Sequence, residues 1–229
     1  MRLFTFWRSW LPPALIAAVL AFALACLPGR SRSGRLVRKQ RLCAAVLAAL
    51  AAFYLVTLAA AVFFPLPAFG RSRASLAELY EAGAIVLRPF TSLLHSWTLS
   101  NSELARGNAA PMRTFLINQV GNLVLLMPAA LLFWLAAAWW RWAKPRSRRR
   151  RSGGILTGLG DRIVIVQSTI ILISMLIELG QLAINMLSGS CWRIVDINDL
   201  LLNSTGGLLM LLVCWLVSVI YRLLRRRKT

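Results

Sequence analysis

Five stretches of this chain are apolar for long enough to cross a bilayer, and that restricts its backbone more than any other feature. A span needs roughly 20 apolar residues, and residues 11–27, 42–64, 114–140, 162–187 and 200–224 approach or exceed that length. Inside hydrocarbon the backbone must satisfy its own N–H and C=O groups, which a helix does within one segment. With 59% of its 229 residues hydrophobic, the chain is too apolar for a soluble globule of this size. The expected fold is therefore all-α, an integral membrane bundle of about five transmembrane helices. The first is the shortest and begins at Pro12 and Pro13, where the missing amide protons cost little because the first amides of a helix lack partners anyway.

A net charge of +20 invites a nucleic-acid reading, but the positions of the charges argue against it. Arg30, Arg32, Arg35, Arg38, Lys39 and Arg41 follow the first span. Arg141, Lys144, Arg146, Arg148, Arg149, Arg150, Arg151 and Arg162 separate the third from the fourth, and Arg222, Arg225, Arg226, Arg227 and Lys228 close the chain. In a five-span topology all three groups share one side, which the positive-inside rule makes the cytoplasm. Such runs are expected to anchor topology and to meet anionic lipid, with no nucleic-acid partner. The N-terminus is then outside and the C-terminus cytoplasmic. The chain divides into two N-terminal helices with a basic loop (1–64), an extracytoplasmic loop (65–113), a three-helix core (114–224) and a basic tail (225–229). Cleavage after the "ALAC" run ending at Cys26 would put six basic residues outside, so the first segment is expected to be retained.

Within the outer loop, Ser75 with Glu78 and Ser100 with Glu103 have the serine-to-glutamate spacing of a helix capping box. Two short helices are expected there. Arg88-Pro89-Phe90 interrupts any helix between them, since proline disfavours helical backbone in the residue before it. His95 is a lone histidine and is read as a surface or packing residue. Trp134, Trp139, Trp140 and Trp142 fit an aromatic belt at a membrane interface.

The fourth span carries a polar stripe. Gln167, Ser174, Glu178, Gln181 and Asn185 are spaced 7, 4, 3 and 4 apart, which places them on one helix face. A carboxylate at that depth needs a cation, a donor network or a proton. Candidate partners are Asn118 and Asn122, one turn apart on the third span, and Arg193, Asp196, Asp199 and Asn203, which recur at three- and four-residue steps into the fifth. Gly206 and Gly207 continue the same face and allow another backbone to come close. Three helices thus aim polar faces at one point near the outer leaflet, and intramembrane clusters of this kind are by default functional-site candidates.

The chain resembles the VanZ-like membrane proteins over roughly residues 89 to 207. The resemblance is carried by Pro89-Phe90, Asn118 with Asn122 and Pro128, Glu178 with Gln181, and then Arg193, Asp196, Asp199, Asn203 and Gly206. Leu126, Ala130 and Trp192 depart from residues usual in the family. The resemblance implies a multi-pass protein of the bacterial cytoplasmic (inner) membrane. It also implies a role in susceptibility to lipoglycopeptides such as teicoplanin. It adds Pro89, Phe90 and Pro128 to Gly206 and Gly207 as helix-packing positions.

Three functional readings fit these residues. In the first, the cluster binds a membrane lipid, anionic or polyprenyl-linked, or a cell-wall precursor head group, with Arg193 engaging phosphate and the amides and carboxylates holding polar groups. In the second, Glu178, Asp196 and Asp199 act as general bases on such a lipid, or share a divalent cation. In the third, the polar groups form an interhelical lock with no ligand. No metal-ligand spacing or cofactor motif occurs in the sequence, so no metal site and no cofactor are expected.

Overall fold

The structure, a computed structural model, describes residues 2–26, 35–70, 73–143 and 157–226. The elements run α1 (Arg2–Cys26), α2 (Arg35–Phe63), α3 (Leu76–Glu81), β1 (Ile85–Val86), α4 (Thr91–Ala105), α5 (Ala110–Leu125), α6 (Met127–Ala143), α7 (Thr157–Ser188), β2 (Val195–Asp196) and α8 (Ile197–Arg226). Five stretches are long and apolar enough to span a membrane: Ser9–Cys26, Gln40–Phe63, Ala110–Trp139, Gly160–Ser188 and Ile197–Arg225. The chain is thus a helical, multi-pass membrane protein. Of the basic residues on which the inside–outside reading leans, Arg30, Arg32, Lys144, Arg146, Arg148, Arg149, Arg150, Arg151, Arg227 and Lys228 lie outside the described residues.

Two helices differ from their expected bounds. The first begins at Arg2, so Pro12 and Pro13 fall inside it rather than at its start. In hydrocarbon, a helix that gives up two amide donors still satisfies more of its backbone than an open chain would. The third span is split at Leu126, which has φ −99° and ψ 3° and donates its N–H to Val124 O. Pro128, lacking an N–H and unable to approach the carbonyl four residues back, explains the break.

The backbone clusters into two compact units. One comprises residues 1–64, 128–166 and 211–229. In it α1 packs along α2, with Ala14, Ala45 and Ala60 fully buried, small side chains that let membrane helices come close. Trp10 meets Phe64 with ring centroids 4.4 Å apart. Trp134 is buried, and the Arg162 guanidinium lies 4.7 Å from its ring centroid.

The other unit comprises residues 65–127 and 167–210. Its short helix α3 begins with the expected capping box, since Glu78 N–H donates to Ser75 Oγ and Ser75 N–H donates to Glu78 Oε2 at 2.7 Å. These bonds hold the Glu78 carboxyl below its ordinary value. The second expected box does not form. Ser100 lies within α4, and Glu103 instead accepts from Arg106 at 2.8 Å near the helix end. A serine caps only where the chain enters a helix, and α4 is entered at Phe90, which holds a left-handed φ of 66°. His95 is exposed on α4. The parallel pairing of β1 with β2, Ile85 opposite Val195 and Val86 opposite Asp196, adds a two-residue ladder to an otherwise helical fold.

Candidate functional site

All eleven polar residues of the stripe and its candidate partners belong to the second unit, but they do not all reach one place. The stripe on α7 turns inward: Ser174, Glu178, Gln181 and Asn185 are buried. Ser174, Glu178 and Asn185 then each meet a different part of the chain ahead of or along α8. At the C-terminal end of the stripe, the Asn185 side chain accepts from Trp192 N–H (3.1 Å) and Arg193 N–H (3.3 Å) and donates to Arg193 O at 2.6 Å. One buried amide therefore satisfies three backbone groups of the turn that presents Arg193.

Two turns earlier, Glu178 Oε2 accepts the Asp196 N–H at 3.3 Å. Further along the seam Asn203 donates to Ser174 Oγ at 3.1 Å, and Gln167 donates to Ser204 O at 3.0 Å. From α5, Asn122 hydrogen-bonds to the Asp199 side chain. Asn118, one turn from Asn122, is exposed and takes no part in this network among the described residues. Gln181 is buried beside the cluster.

Arg193 and Asp196 are not on the helix that the spacing suggested. Arg193 lies in an irregular turn and Asp196 in β2, because Val195 N–H is claimed by Ala84 O at 2.9 Å and the chain there is held extended by β1. Asp196 instead opens α8. Its Oδ1 accepts the Asn198 N–H at 2.9 Å, the bond by which an N-cap carboxylate satisfies an orphan amide. Burial keeps the Arg193 guanidinium below its ordinary value, against the pull of Asp199 and Glu178, which favour its charged form. Arg193 also lies over the Trp192 ring, 5.0 Å from its centroid. Glu178, Asp196 and Asp199 are close enough to feel one another's charge.

Two residues that the sequence reading left out bind the loop before α4 to this cluster. Ser92 donates to Asp196 Oδ2. Asn198, buried, accepts from Phe90 N–H at 2.8 Å and donates to Ser92 Oγ (2.8 Å) and Asp196 Oδ1 (2.9 Å). The available signal was the Asp196-x-Asn198 spacing of a capped helix start; nothing in the sequence pointed to Ser92.

The expected packing glycines sit where backbones approach. A Cβ on Gly206 would lie 1.7 Å from Leu123 O, and one on Gly207 would lie 2.6 Å from Ile170 Cγ2. Pro89 and Phe90 form the turn into α4, and Pro128 stands just after the break that ends α5. Among the described residues, no group of three or more His, Cys, Asp and Glu side chains is arranged to hold a metal ion.

Fold and site together define a multi-pass helical membrane protein whose last spans share an interior polar seam capped by a cluster of three carboxylates and a guanidinium. A family model described as VanZ/LLP1 matches residues 51–218, and the chain belongs to that family. Neither a curated protein nor a solved structure matches it.

Proposed function

We propose that the cluster at Glu178, Asp199, Arg193 and Asn122 binds the polar head of an envelope lipid or a lipid-linked cell-wall precursor on the outer side of a bacterial cytoplasmic membrane. Through that ligand the protein influences susceptibility to lipoglycopeptides of the teicoplanin type. The observation that carries this reading is unspent hydrogen-bonding capacity. A carboxylate offers roughly four acceptor sites, whereas Glu178 accepts one protein bond, from Asp196, and Asp199 one, from Asn122, among the described residues. Sugar hydroxyls and peptide amides supply the donors these carboxylates lack. Arg193, set beside them, supplies the planar fork suited to phosphate.

Asp196 favours a structural part within the same arrangement. Both of its oxygens are taken, by Ser92 and by Asn198. In this reading it holds the loop and the helix start while its neighbours meet the ligand.

The test is native mass spectrometry of the full chain released from membranes. An anionic or polyprenyl-linked lipid is expected to stay bound to the wild type and to be lost from Arg193→Gln and from Asp199→Asn. Retention of the same lipid by variants that elute and melt like the wild type overturns the reading.

A further inference from the structure

The lateral bonds of the second unit set heights along its helices. One layer is defined by Asn122 on Asp199, Asp196 N–H on Glu178, Phe90 N–H on Asn198 and Ser92 on Asp196. Another is defined by Ala74 N–H on Met186 O, Trp192 Nε1–H on Pro65 O, and the Asn185 amide on residues 192 and 193. Along α7 the two layers, at Glu178 and Met186, are roughly 12 Å apart at 1.5 Å per residue.

A third contact lies between the first layer and the start of α5. Trp97 meets Phe115 with ring centroids 5.8 Å apart, roughly 7.5 Å up α4 from Ser92 and roughly 10 Å up α5 from Asn122. Helix α4 therefore climbs beside α5 in the opposite chain direction. Of the apolar stretches that hold these reference points, one begins at Ala110, one ends at Ser188, and the third, which carries Asp199, begins at Ile197. The first layer is thus roughly 15 to 18 Å inside the first two of these ends and level with the start of the third.

We propose that residues 84–105 form a re-entrant hairpin. The extended limb through β1 descends into the bilayer to the level of Glu178, the chain turns at Phe90, and α4 climbs back to the side from which the limb entered. The partner of its outer flank is the acyl chains of the surrounding lipid.

Non-helical backbone at membrane depth is tolerated only where protein or trapped water satisfies it, and here protein does so. Val195 N–H is bound to Ala84 O, β1 is paired with β2, and Phe90 N–H is bound to the Asn198 side chain. Asn198 and Ser92 thereby acquire a reason to be there: they receive the tip of the hairpin.

The faces of α4 agree with this placement. Leu94, Trp97 and Leu104 are exposed and, with the exposed Asn101 among them, fall within roughly 80° of arc at 100° per residue, the flank proposed to meet lipid. Ser92, Ser96 and Ser100 recur every fourth residue on a face turned into the protein, where all three are buried or half-buried. A helix lying flat on the membrane would hold Leu94 and Leu104 at one depth. A re-entrant helix holds Leu94 far below. None of this depends on the identity of a ligand.

The test places single nitroxide labels at Leu94→Cys and Leu104→Cys in the full chain, with Cys26, Cys43, Cys191 and Cys214 replaced by alanine, reconstituted in phosphatidylglycerol/phosphatidylethanolamine nanodiscs. Depth is read from the ratio of relaxation by oxygen to relaxation by a water-soluble nickel chelate. The Leu94 label is expected to be deeper than the Leu104 label by on the order of 10 Å, the rise between them after tilt. Equal depths, which describe a helix lying in the interface, overturn the proposal. So does strong relaxation of both labels by nickel, which describes a helix in water. Labels at the exposed positions Leu87 and Ala105 repeat the comparison, so that one poorly folded variant leaves the question answerable.

Discussion

Three glycines differ in what an added methyl group would meet, and the difference sets up a graded experiment. At Gly206 a Cβ would lie 1.7 Å from the Leu123 carbonyl oxygen and 2.8 Å from its carbonyl carbon; at Gly207 it would lie 2.6 Å from Ile170 Cγ2; at Gly121 nothing comes within 4 Å. The first obstacle is backbone, so α5 and α8 must part by roughly 1.5 Å before ordinary contact is restored, and packing across that seam is lost with the movement. Overpacking of this kind costs about 1–3 kcal/mol, from which alanine's helix preference over glycine returns about 1 kcal/mol. Because the clash is with backbone, Gly206→Ala is expected at the upper end, a net loss of about 2 kcal/mol. Gly207→Ala meets a methyl that can turn aside and should lose about 1 kcal/mol or less. Gly121→Ala should be neutral or gain up to about 1 kcal/mol. Unfolding of purified protein by SDS in mixed micelles, followed by circular dichroism, reads all three. Asn122, next to Leu123, moves with the carbonyl, so Gly206→Ala should also weaken retention of any lipid held through Asp199. Equal stability of Gly206→Ala and Gly121→Ala would refute the close approach of α5 to α8.

Asn185→Ala strands two N–H groups and one carbonyl of the turn at Trp192 and Arg193. At roughly 1 kcal/mol per lost bond it should destabilise by about 2–4 kcal/mol in the same assay. Asn185→Asp keeps the acceptor but not the donor and should fall between. Glu78 has a folded-state pKa below its ordinary value. Its capping contribution is therefore fully present above the unfolded value near 4.3 and lost as pH falls through the folded value. Amide exchange of residues 75–79 should accelerate relative to Glu78→Gln only across that acidic window, and a pH-independent difference between the two proteins would count against the cap.

The parts of this fold that could be read from residue order are those in which one periodicity reports one environment. On α7 the spacing of Gln167, Ser174, Glu178, Gln181 and Asn185 matches a face turned away from lipid, because in hydrocarbon a polar side chain must find protein. The same logic misplaced Arg193 and Asp196 on a helix. Three- and four-residue steps also arise when an irregular turn leads into a helix, and what holds Val195–Asp196 extended is Ile85–Val86, more than a hundred residues earlier. A two-residue ladder leaves no periodic trace. Ser100 and Glu103 show the limit of a local signature: their spacing is that of Ser75 and Glu78, yet only Ser75 stands where the chain enters a helix. The partner of Trp134 was not legible because its cation, Arg162, arrives from a different segment.

The cluster divides by how fully its members are used, and in the proposed lipid-binding role that division makes one small bundle both rigid and receptive. Asn185, Asp196 and Asn198 spend their side chains on backbone and on one another, so the turn that carries Arg193 and the start of α8 cannot easily shift. Glu178 and Asp199 are held in place by that frame while most of their acceptor capacity stays open. Groups fixed in advance lose little freedom when a ligand arrives, and more of the contact energy then appears as affinity. In a purely structural lock there would be no advantage in leaving two carboxylates underfilled beside a guanidinium at this depth, where each unsatisfied polar group costs free energy. Underfilled carboxylates held in place by Asn185, Asp196 and Asn198 are the arrangement that the proposed reading expects, the missing donors belonging to another molecule.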